Sequence, residues 1–95
     1  MSMVVEFSSR LSYPNPFTPS GVEFELPASA EVTLTIFDHS GREVATLLQE
    51  VLLNPGTHTI DFSDVKLTGD IYFYRLSVLM EGRNFVDTKQ IMLTK

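Results

Sequence analysis

The sequence predicts an all-β antiparallel sandwich, and three observations carry that expectation. Apolar and polar residues alternate over short runs, the period of a half-buried strand. Turn-forming residues separate those runs at intervals of roughly 8–12 residues, the spacing of sandwich strands. The 95 residues are 43% hydrophobic, which supplies one core and leaves too little for two. A chain of this length removes roughly 60–65% of its unfolded surface from water on folding. It therefore needs neither a metal nor a disulfide, in keeping with its lack of cysteine.

The first clear strand is Val22-Glu23-Phe24-Glu25-Leu26, with its three apolar side chains on one face and both glutamates on the other. Val32, Leu34 and Ile36 repeat the pattern, with Thr33 and Thr35 facing out. Asp38-His39-Ser40-Gly41 is a turn, after which strand resumes at Arg42 or Glu43. Asn54-Pro55-Gly56 supplies the fixed φ and the positive φ of a type II turn, and Thr57 to Phe62 alternates again. Ile71 to Met80 is apolar on both faces, which suits a central strand, and Glu81-Gly82 marks a hairpin tip. The return strand runs from Asn84 to Leu93, with Ile91 and Leu93 in phase and Lys89 and Lys95 in the same parity beyond the packed centre. The expected shared core holds Phe24, Leu34, Ile36, Ile60 and Leu76.

One segment conflicts with this scheme. Val44, Leu47, Leu48, Val51 and Leu52 fall at helical spacing, and Ala45, Gln49 and Glu50 favour helix. The spacing of its neighbours assigns it to strand. Tyr13 to Pro19, with three prolines in seven residues, is not regular structure.

The chemistry that the composition excludes is broad. Without cysteine there is no thiol nucleophile or thiolate zinc site. A formal net charge of -5 with no run of Lys or Arg argues against nucleic acid as a partner. No stretch approaches the roughly 18 apolar residues of a membrane span. Met1 to Glu6 lacks the basic and apolar parts of a signal peptide, so export would require a signal upstream of this sequence.

His39 sits in a turn, and the odd spacing of His58 and Asp61 puts them on opposite faces of a strand. Asp38, Asp61, Asp64, Asp70 and Asp87 fall mostly beside turns, where oxygen ligands for calcium could gather. Their spacing matches no contiguous calcium loop, and Asp suits turns for its own backbone hydrogen bonding. No phosphate loop or nucleophile elbow is present. The expectation is no catalytic residue, no metal, no cofactor and no enzymatic activity. Tyr72, Phe73 and Tyr74 could form a stacking platform for sugars, but consecutive positions point to both faces, so most of these rings fill the core. Arg75 reads either as a structural ion pair or as a recognition group.

The segments Tyr13-Pro14-Asn15-Pro16-Phe17, Val32 to Asp38, Gly41-Arg42-Glu43-Val44, Gly56-Thr57-His58, Gly69 to Leu76 and Lys89 to Lys95 together form a pattern. In their order, from about residue 11 to the last, the chain resembles the type A C-terminal sorting domains of type IX secretion cargo. It is also similar to the immunoglobulin-like domain of flagellar hook-capping proteins. The resemblance implies an immunoglobulin-like sandwich of about seven strands over residues 11–95, with 1–10 an N-terminal strand or a lead-in. It implies a large cargo fused on the N-terminal side, outer-membrane secretion machinery that reads the domain, and a sortase-like peptidase that removes it. The destination is the cell surface or medium, by way of the periplasm and outer membrane.

On this resemblance the recognition residues are Gly69, Tyr72, Tyr74, Arg75, Lys89, Ile91, Leu93 and Lys95. Tyr13, Pro14, Asn15, Pro16, Phe17, Gly41 and Gly56 are structural. The chain departs from the family where Phe62-Ser63-Asp64 replaces a usual Trp-Asp-Gly, which keeps a large apolar anchor, and where Leu67-Thr68 replaces small residues before Gly69. The alternatives are a structural assembly module of the hook-cap kind and an accessory carbohydrate-binding sandwich. A terminal strand at a sheet edge offers a physical route to recognition, since a partner can add to its backbone.

Overall fold

The alternating runs fold into seven strands. A computed structural model of the chain describes residues 9–12, 20–62, 65, 67 and 71–92. The strands are β1 (Ser9–Ser12), β2 (Gly21–Leu26), β3 (Ala30–Asp38), β4 (Glu43–Leu53), β5 (Gly56–Asp61), β6 (Ile71–Met80) and β7 (Arg83–Met92). They form a three-stranded sheet in the order β1-β2-β5 and a four-stranded sheet in the order β4-β3-β6-β7, with every pairing antiparallel. The chain is an all-β sandwich of the immunoglobulin-like kind, and no helix occurs among the described residues.

The core lies between the two sheets. Val22, Phe24 and Leu26 of β2 face Val32, Leu34 and Ile36 of β3 and the even-numbered residues Tyr72 to Met80 of β6, all of them buried. Of the five expected core residues, Phe24, Leu34, Ile36 and Leu76 are fully enclosed, and Ile60 packs half-buried at the margin. Phe62 is buried as the apolar anchor after β5, its N–H donating to the Ser20 carbonyl at 2.9 Å. β6 is central, as its two apolar faces require.

Residues 44–52 are strand, and the register explains their helical spacing. Across the β3–β4 ladder Val32 meets Val51, Leu34 meets Leu48, Thr35 meets Thr46, Ile36 meets Ala45 and Phe37 meets Glu43. At three of these steps β4 spends one residue more than β3. Each extra residue is a bulge that turns the following side chains to the other face, so a period of two becomes spacings of three and four. Glu50 absorbs one bulge with a φ of 51°, and its N–H donates to Thr33 Oγ1 at 3.0 Å.

The β6–β7 hairpin closes through Glu81 and Gly82, with φ of 51° and 76°, between the paired residues Met80 and Arg83. Positive φ at both central residues is the type I′ turn that suits strand twist. Gly21 is required for a different reason: a Cβ there would lie 2.6 Å from the Ile60 carbonyl oxygen.

Truncation of Leu34 or Ile36 to Ala is expected to cost about 2–5 kcal/mol in urea denaturation, a large share of a small domain's stability. Leu52, 70% exposed on β4, should tolerate the same change within about 0.5 kcal/mol. Equal losses at Leu34 and Leu52 would contradict this core.

Candidate functional site

The residues singled out for recognition fall on the last hairpin, and the pleat divides them. Tyr72, Tyr74 and Ile91 point into the sandwich and are buried. Arg75 points out, because it lies one step from Tyr74 on the same strand. Lys89 pairs with Tyr74 across the β6–β7 ladder and so shares the inward parity, yet it sits at the margin, where its chain reaches solvent. Gly69, Leu93, Lys95 and the segment Tyr13 to Phe17 lie outside the described residues. Gly41 and Gly56 occupy left-handed conformations, with φ of 88° and 125°.

β7 is an edge strand, paired with β6 alone among the described residues. Its inward positions run Arg83, Phe85, Asp87, Lys89 and Ile91, opposite the buried residues of β6. Inward charge at an edge discourages indiscriminate strand pairing. Here it also ties the two sheets together through Ser9 of β1.

The Ser9 N–H donates to Asp87 Oδ2 at 3.1 Å, and the Ser9 hydroxyl donates to the same oxygen. That hydroxyl has one proton, committed to a carboxylate that can only accept, so Tyr74 donates its phenolic proton to Ser9 Oγ, at 2.7 Å. Lys89 Nζ donates to the Ser9 carbonyl and stands 3.6 Å from Asp87 Oδ2. All three polar groups of a buried serine are thereby satisfied across a seam between sheets. Asp87 is therefore in mid-strand, not beside a turn, and Lys89 is engaged at the seam. Ser9 carries no signal in the sequence, since its partners lie 65–80 positions away.

Arg75 has an aromatic partner in place of an acidic one. Its guanidinium carbon lies 4.7 Å from the centroid of Phe37, which pairs directly with Phe73. No carboxylate comes within ion-pair distance of it among the described residues. Phe37 was detectable, because it follows Thr33 and Thr35 on the outward parity of β3.

The β3–β4 turn is built by Asp38, whose Oδ1 accepts from the Ser40 hydroxyl at 2.6 Å, the Ser40 N–H at 2.9 Å and the Arg42 N–H at 3.0 Å. The Ser40 hydroxyl bond, followed by the Arg42 amide, holds the carboxyl below its usual range. His58 stacks on Phe24 with ring centroids 5.6 Å apart and bonds the Asn54 carbonyl at 2.7 Å. The register puts His58 opposite Phe24 and Asp61 opposite Gly21, so the two face opposite ways. Among the described residues, no three His, Asp or Glu side chains gather into a metal site.

These features define a β-sandwich domain. Compared with known proteins, the chain matches no family model, no curated protein and no solved structure.

Asp87→Ala is expected to cost about 1–3 kcal/mol, because it leaves the buried Ser9 N–H without its acceptor. Amide exchange should accelerate in β1 while β3 and β6 stay protected, and uniform acceleration would contradict the seam. Asp38 should titrate below 3.8, its ordinary value. A depressed folded pKa means that the turn's contribution is complete above that value and is lost as pH falls through the lower one. Carboxyl NMR titration with a midpoint at or above 3.8 would contradict the three-donor turn.

Proposed function

We propose that the chain is a non-catalytic sorting domain that directs an N-terminally fused cargo across the outer membrane by type IX secretion, and so to the cell surface. The observation that carries this reading is the placement of the motif-bearing C-terminal hairpin. β7 is an edge strand at the margin of its sheet, and no strand pairs with its outer side among the described residues. A hairpin so placed is open to a partner that reads its side chains. The folded domain is the signal, the secretion machinery its reader, and a sortase-like peptidase the enzyme that later releases it from the cargo.

The test is a reporter with its own periplasmic export signal, fused ahead of this domain in a bacterium with a type IX system. The fusion should reach the surface or medium, and removal of Lys89 to Lys95 should leave it in the periplasm. Because that truncation also removes Ile91 from the core, it is paired with Lys89→Ala, whose melting temperature separates lost folding from lost recognition. A reporter exported equally well without the domain would refute sorting.

A further inference from the structure

The two outer faces of the sandwich are unlike. On the three-stranded sheet the outward positions include Arg10, Glu23, Glu25, Thr57, Thr59 and Asp61, with no large apolar side chain among them. That is the solvated face expected of an antiparallel sheet. Its arginine is paired, since Arg10 Nη2 lies 2.8 Å from Glu23 Oε1.

The four-stranded sheet breaks the pattern over β6 and β7. Its outward positions there present Ile71, Phe73, Arg75 and Leu79 from one strand and Val86 and Met92 from the other. Leu79, Val86 and Met92 are 44%, 55% and 60% exposed. Ser77, Asn84, Thr88 and Gln90 fill the remaining positions, so this half of the face carries no carboxylate, although the chain has 12 acidic residues against 7 Lys and Arg. Near its middle, Arg75 lies over Phe37 in a shallow depression of about 340 Å³ lined also by Phe73, Thr88 and the Asp38–Gly41 turn, whose Asp38 carboxylate accepts from Ser40 and Arg42 and makes no ion pair with Arg75. Aromatic residues, Met and Arg with few acids is the composition of an interface centre, not of a solvated sheet.

We propose that this face is a protein-docking surface, and that its partner presents apolar side chains around one carboxylate, which Arg75 receives. The guanidinium lies over the Phe37 ring, and its N–H fork lacks an acidic partner among the described residues, so bidentate pairing with an incoming carboxylate is the interaction open to it. Arg75 and Phe37, at the centre of the site, lie on β6 and β3, the two inner strands of their sheet, whose ladders are occupied on both sides. The partner therefore reads side chains and not backbone.

This inference rests on the sorting reading, with the secretion machinery as the partner, and the export assay separates the two. Arg75→Glu and Val86→Asp should each lower the exported fraction of the reporter by about tenfold or more, with unchanged melting temperatures. Arg75→Lys should fall between them and the parent, since it keeps charge and loses the fork. Thr59→Asp, on the opposite face, should export like the parent. If the parent is exported and both outer-face variants match it, the docking face is wrong and sorting stands. A parent that is not exported overturns the sorting reading, and this partner with it. Sedimentation showing a dimer that Arg75→Glu dissociates would assign the face to a second copy, and cosedimentation with phospholipid vesicles would assign it to a lipid surface. Either result overturns the proposal.

Discussion

Val32 against Val78, Leu34 against Leu76 and Ile36 against Tyr74 pair β3 with β6, and all six side chains are completely enclosed. Every other element is placed by this double strand. β4 and β7 add to its two sides, and β2 packs across its inner face. Its register also decides the outer face, because a slip of one residue would exchange Tyr74 for Arg75 and bury a guanidinium in the core. The burial of six large side chains and the exposure of Arg75 are one constraint seen from two sides.

The seam at Ser9 is a second constraint of another kind. A buried phenol and a partly buried carboxylate are costly unless each finds a partner, and here a single serine serves both while its carbonyl accepts from Lys89, whose chain reaches solvent. Apolar side chains at the same margin would have packed in many registers, whereas this network accepts β1 in only one. It also joins the edge of one sheet to the edge of the other by side chains, where a continuous backbone ladder would have closed the sandwich into a barrel.

Most of the fold was legible because β2, β3, β5 and β6 obey a period of two, which local sequence records directly. β4 was harder: three bulges shift its phase, and the resulting spacing of Val44, Leu47, Leu48 and Val51 imitates a helix. Only the partner strand reveals the extra residues. The seam was illegible because it depends on proximity between β1 and β7, and sequence separation conceals that. Arg75 was left between two readings, ion pair or recognition group, and the structure supplies a third arrangement, a cation stacked on Phe37. The outward phase of Phe37 and Phe73 was readable, but that they stand side by side required the register.

The seam also bears on how a partner can read the domain. Ser9 meets the margin of β7 at Asp87 and Lys89, near the middle of the strand, so an added strand would find its path interrupted there. Inward charges at those positions oppose the same addition. The outward face has no such obstruction, and it is continuous from Ile71 and Met92 through Phe73 and Arg75 to Val86 and Leu79. A tail sequence would exist equally in an unfolded chain, whereas a face assembled from β3, β6 and β7 exists only once their register is set. Recognition through that face would thus be recognition of the folded domain, and the same packing that stabilises the sandwich would make it readable.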